Sequence, residues 1–312
     1  MRVLCLLALT VLLSLAPKMV LAQSCSATST GIYFGNVVTP VPQTDATGTI
    51  SVSCTGGSSN GVANVCIGID PAGSLLNRVM MRDGDQFLGT LIDYEIYSKV
   101  NRTTIWNTTN RVLVSVPLGG SGSGTANVTM YGRMDAGGNP AAGVFRSGLS
   151  DDSIQGVVQR GASCNSQTTG SFTGGTFDVN TFILGTCTIS ADALLDFGTV
   201  AGNMPAARNS TSALHVNCTN QLPYTLALDA GTVSGSTIAV RLLANSSGST
   251  VRFQLYRDSA RTSIWGDGIN GTVQPGTGNG ANQDILIHGQ VPQQTNLSSG
   301  TYRTDVRATV TY

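Results

Sequence analysis

The chain is written twice. Cys25 is followed by Tyr33-Phe34-Gly35 and then by Ser53-Cys54-Thr55; Cys187 is followed by Asp196-Phe197-Gly198 and then by Asn217-Cys218-Thr219. Further on, Tyr97…Arg102-Thr-Thr-Ile-Trp106 recurs as Tyr256…Arg261-Thr-Ser-Ile-Trp265. Val128-Thr-Met-Tyr-Gly132 recurs as Ile285-Leu-Ile-His-Gly289, and Gly143-Val-Phe-Arg-Ser147 as Gly300-Thr-Tyr-Arg-Thr304. The first matched cysteines are 162 residues apart, and the last landmarks 157. Landmarks that keep one order and nearly one spacing mean a tandem duplication, so both halves must take one fold.

Within each half the hydrophobic period is two. Ile50-Ser-Val-Ser-Cys54, Val65-Cys-Ile-Gly-Ile69, Leu91-Ile-Asp-Tyr-Glu-Ile-Tyr97 and Val112-Leu-Val-Ser-Val116 alternate or run β-branched; Leu226-Ala-Leu228, Val251-Arg-Phe-Gln-Leu-Tyr256 and residues 305–312 do the same. Between them lie turn residues, such as Thr55-Gly-Gly-Ser-Ser-Asn-Gly61 and Leu118-Gly-Gly-Ser-Gly-Ser-Gly124. Short strands joined by glycine-rich turns predict an all-β protein of two tandem immunoglobulin-like sandwiches, over residues 23–182 and 183–312.

Residues 1–22 read as a secretory signal peptide: Met1-Arg2, an apolar run over residues 3–16, and Val20-Leu21-Ala22 before the cut. Export removes Cys5 and leaves six cysteines in an oxidising compartment. The repeat makes Cys25–Cys54 and Cys187–Cys218 equivalent bridges and leaves Cys66–Cys164 as an extra one in the first domain. Lys+Arg and Asp+Glu are equal at 17 each, so no net field draws nucleic acid. The chain has two histidines, and Gly57-Ser-Ser-Asn-Gly61 fits G-x-S-x-G with no helix to follow it. No carboxylate pair or C-x-x-C adds to these, and the sequence predicts no enzyme, cofactor or metal.

The two copies differ at their ends. The first continues into residues 176–183, where Phe177, Val179 and Ile183 share one face of a further strand; the second stops at Tyr312 without a counterpart. The second sandwich is therefore expected to lack its last strand and to accept one from elsewhere. Two residues, Gln23 and Ser24, precede Cys25 after the cut, too few for a strand to donate, which predicts a subunit that ends a fibre.

The paired Cys…Tyr/Asp-Phe-Gly…Cys pattern and the ending Gly300-Thr-Tyr-Arg-Thr-Asp-Val-Arg-Ala-Thr-Val-Thr-Tyr312 resemble the spore coat protein U-like family, which includes pilins of archaic chaperone–usher pili. The tandem arrangement resembles the tip adhesins of Csu-type pili. The resemblance implies a periplasmic pilus chaperone, an outer-membrane usher, and a next pilin subunit that donates its N-terminal strand to the second domain. It also implies a place at the pilus tip and attachment of the first domain to an abiotic or host surface, supporting biofilm formation. A structural coat or shaft subunit without adhesive role is the alternative. For the adhesive surface the sequence offers apolar residues in first-domain turns whose second-domain counterparts are more polar. These are Val37, Val38 and Val41, then Leu118, then Pro140, Ala141, Ala142 and Val144.

Overall fold

The computed structural model describes residues 23–71, 78–84, 91–135, 137–147, 152–165, 167–192 and 194–312. The expected signal peptide lies outside them. The described residues form strands and turns, without a helix.

The first domain opens with β1 (Gln23–Ser29), β2 (Ile32–Val37), β3 (Thr44–Thr55) and β4 (Val62–Asp70). It continues through β5 (Arg78–Arg82), β6 (Ile92–Tyr97), β7 (Val112–Pro117), β8 (Gly124–Met134) and β9 (Gly143–Ser147). It closes with β10 (Asp152–Gln159), β11 (Gly170–Thr173), β12 (Thr176–Phe177) and β13 (Val179–Ile183). One sheet runs β11-β1-β3-β8-β6-β5-β9-β13-β2 and the other β12-β10-β4-β7. Alternation decides what lies between them: on β3, Ile50, Val52 and Cys54 face inward while Ser51 and Ser53 face out or to the rim.

The second domain has β14 (Cys187–Ala191), β15 (Arg208–Cys218), β16 (Pro223–Leu228) and β17 (Arg241–Ala244), then β18 (Thr250–Tyr256), β19 (Gln274–Thr277), β20 (Asn282–Val291) and β21 (Ala308–Thr311). Its sheets run β14-β15-β20-β18-β17 and β19-β16-β21. The strand read over residues 305–312 shrinks to β21, because only residues 308–311 run in ladder register with β16, while the Arg307 and Asp305 carbonyls accept from the Asp229 and Thr232 amides beyond the end of β16.

The repeated landmarks do the same work in both domains. Trp106 and Trp265 are fully buried, and each indole nitrogen donates at 2.9 Å to a strand carbonyl, Ile67 or Leu226. Buried Arg78 and Arg241 reach the matching carbonyls of Ile69 and Leu228. Gly132 and Gly289 sit where a neighbouring segment crosses the sheet. A Cβ on Gly132 would lie 3.1 Å from the Phe34 ring, and one on Gly289 would lie 2.9 Å from the Phe197 ring. Disulfides join Cys25 to Cys54, Cys187 to Cys218 and Cys66 to Cys164, the pairs the repeat implies. The first two close loops of 29 and 31 residues, each contributing about 3–4 kcal/mol by loop-closure entropy.

Candidate functional site: the open strand position of the second domain

In the first domain β13 slides between β9 and β2, antiparallel to the former and parallel to the latter. Val179, Thr181 and Ile183 point inward and are at most 1% exposed. Thr181 donates its hydroxyl hydrogen to the Gly35 carbonyl at 2.9 Å, which places the one inward polar group of the strand without cost. Phe177 faces inward too, but from β12 in the smaller sheet. The chain crosses between sheets at Asp178.

The second domain keeps both walls of this slot and, among the described residues, has no strand in it. Residues 194–200 match β2, and residues 301–304 match β9. Residues 194–200 pair with no strand, and Arg303 bridges Ala244 on the side away from the slot. The core behind the slot is under-covered. Ile32, Phe34, Val37 and Phe145 are buried, whereas their counterparts Leu195, Phe197, Val200 and Tyr302 are half-exposed, as is Val306. The segment is held by packing instead, with Phe197 edge-on to Phe253 at 6.2 Å, as Phe34 packs on Tyr94 at 6.5 Å. Gly35 and Gly198 share a positive φ, 86° and 76°, at the same place in the turn of this segment. Missing backbone partners and a half-wet apolar row are the two things an added strand supplies.

The apolar loop residues singled out in the sequence do not form one exposed surface. Val37, Val41, Leu118, Pro140 and Ala141 are buried, Ala142 and Val144 half-buried, and Val38 alone is exposed, at 47%. Val37 ends β2 and alternates inward, which turns Val38 out. Residues 139–142 reach the other domain: Ala141 bridges Asn220, and Gly280 lies against Asn139. Arg82 donates to Gln221 at 3.2 Å beside them. Val37 also lies at this junction, its carbonyl accepting from the Leu184 amide at 2.8 Å. Leu118 lies at the opposite end, under Gly57, where the turns around residues 55–61 and 117–124 are laced by backbone hydrogen bonds such as Gly57 to Gly122 at 3.1 Å. The physical reason is plain: a buried Val or Leu side chain gains about 1.5–3 kcal/mol, and these had a core or a second domain within reach.

His215 is surface-held on β15, bonded to Asp284 at 2.7 Å and Asp192 at 3.1 Å, which raise its pKa above the ordinary histidine value. It lies on the β14-β15-β20 face and takes no part in the slot.

Residues 9–150 and 173–309 match the model of the Spore Coat Protein U domain. Protein U of Myxococcus xanthus is 33% identical over 144 residues, covering 41% of this chain and 78% of that protein. Among solved structures, the chain is similar to the tip adhesion subunit CsuE, in its complex with CsuC, from Acinetobacter baumannii. The identity is 16% and the TM-score 0.47, over 92% of this chain and 100% of that one. It is also similar to the CupB6 tip adhesin of Pseudomonas aeruginosa at 12% identity and TM-score 0.39, over 92% and 93% of the two chains. The family matched is structural rather than enzymatic. With both copies of the repeat matched, the chain belongs to the Spore Coat Protein U domain family.

Proposed function

We propose that this chain is a subunit of a chaperone–usher surface fibre, and that it is the tip adhesin. Its second domain accepts a strand, first from a periplasmic chaperone and then, after passage through an outer-membrane usher, from the next subunit. The observation that carries this is the contrast between two copies of one fold: the first fills its slot with β13, and the second leaves the same slot open between residues 194–200 and 301–304. The closed first domain is the part left to meet an abiotic or host surface and so to promote biofilm formation. Its contact face is assigned to the end away from the junction, where Val62 is 59% exposed beside the laced glycine-rich turns. Val38, though exposed, follows Val37 at the junction end and lies outside that face.

Immunogold labelling of fibres with an antibody to the first domain tests the placement. One label at each free end is the expected result. Label along the whole fibre, or in a coat without fibres, would favour a structural subunit, the reading that the match to the Spore Coat Protein U domain supports.

A further inference from the structure

The open slot has a template in the same molecule, and one charged contact of that template is half missing. In the first domain Asp178 directly precedes Val179, the first buried residue of β13. Its carboxylate accepts from Arg146 Nη1 at 2.8 Å and from the Ser147 hydroxyl at 3.3 Å. The same guanidinium bonds Asp83 through Nε at 3.1 Å. Arg146 is thus held between a carboxylate of its own sheet and one brought by the inserted strand.

Arg146 of Gly143-Val-Phe-Arg-Ser147 corresponds to Arg303 of Gly300-Thr-Tyr-Arg-Thr304, and they pair with equivalent strands, Arg146 with Met81 of β5 and Arg303 with Ala244 of β17. Counting on from those partners, Asp83 corresponds to Ser246, so the second domain has lost the sheet's own carboxylate. Among the described residues Arg303 is exposed and makes no ion pair. The cation has been kept, and among the described residues neither of its carboxylates has a counterpart.

We propose that the strand accepted by the second domain carries an aspartate or glutamate immediately before its first buried residue, and that Arg303 pairs with it and so fixes which strand enters and in what register. This rests on the strand-accepting reading above. The template supplies the rest of the pattern: apolar at the Val179 and Ile183 positions, and a hydroxyl at the Thr181 position to meet the Gly198 carbonyl as Thr181 meets Gly35. A one-residue slip would turn the inward residues out and carry the carboxylate to the wrong face, so the ion pair and the apolar row specify the same register. The pair is partly exposed, so its weight falls on selection and register more than on total affinity.

The probe is a labelled peptide with the sequence of residues 176–183, added to the full chain and followed by fluorescence anisotropy at equilibrium. Asp178→Asn in the peptide is expected to weaken binding about fivefold at low salt, and Arg303→Gln in the protein by as much. The two together should cost no more than either alone, and the difference should shrink at about 0.5 M salt. Arg303→Glu should be rescued by Asp178→Lys in the peptide. An unchanged affinity of Arg303→Gln for the unmodified peptide, with its Trp265 indole resonance showing the domain folded, overturns the inference and leaves strand acceptance standing. Failure of the unmodified peptide to bind at all overturns both.

Discussion

Replacing Arg78 by alanine is expected to cost the first domain about 3–5 kcal/mol, the range for removing one partner of a buried ion pair. Arg78 is 5% exposed and Asp152 fully buried. The guanidinium bonds Asp152 at 3.4 Å, the Trp106 carbonyl at 3.1 Å, and Glu95. Tyr94 donates to the other Asp152 oxygen at 2.7 Å, and burial together with the Asp152 charge raises the phenol's pKa. Without Arg78 the Asp152 charge stays in the interior and its cation does not. The repeat provides the control. Arg241 bonds Gln254 at 2.6 Å and the carbonyls of Trp265 and Leu228, with Phe253 in place of Tyr94 and Val306 in place of Asp152. Burial lowers its pKa to about 10, so it remains charged at neutral pH. Arg241→Met removes a charge and strands no buried carboxylate, since the nearby Asp229 and Asp267 both reach solvent, so its cost should be nearer 1–3 kcal/mol, from carbonyls left unsatisfied (about that much per group or less). Thermal unfolding followed by the two indole resonances, Trp106 for the first domain and Trp265 for the second, separates the effects. A fall of about 10 °C for Arg78→Ala and a smaller one for Arg241→Met is the expected result. Equal falls would contradict the account of the buried charge.

Phe34→Ala should likewise cost about 3–5 kcal/mol, the usual price of emptying a packed aromatic site. Phe197→Ala at the equivalent place should cost about half as much in the free chain. The Phe197 ring already meets water, so less is lost when it goes, and the space it leaves opens to solvent instead of forming a closed cavity. Once a strand covers the slot, the two substitutions should cost about the same. Urea unfolding of both variants, with and without an added strand, measures all four values. Equal costs in the free chain would mean that the second domain is already closed over Phe197.

Repetition made most of the fold readable. Local spacing located Trp106 and Trp265, paired the cysteines, and exposed residues 176–183 as a segment without a counterpart. Phe177, Val179 and Ile183 are buried as the alternation required, although the chain changes sheets between the first and the second of them. What could not be read locally depended on contacts far along the chain. Arg78 and Asp152 are 74 residues apart, and nothing near Asp152 in the sequence marks it as a buried carboxylate. The apolar residues of the loops looked available because the sequence does not say that residues 139–142 meet Asn220 and Gly280 of the other domain. Leu118 sits in a glycine-rich turn, and only the lacing of that turn to residues 55–61 folds it inward. For Arg303, the shared Gly-x-aromatic-Arg motif was in view, but the residue that gives it meaning, Asp178, lies in residues 176–183, which have no counterpart among the described residues of the second domain.

The most direct test of the open second domain is thermal unfolding of the full chain beside a version with a flexible linker and a second copy of residues 176–183 after Tyr312. Burying a valine and an isoleucine side chain contributes about 1.5–3 kcal/mol each, before the cost of ordering the strand. The account predicts that the Trp265 transition rises by about 10 °C while the Trp106 transition stays put, and that the amides of residues 194–200 gain protection from hydrogen exchange. A Trp265 transition that does not move, with those amides exchanging as before, would show a second domain complete without a partner and contradict the strand-acceptor account.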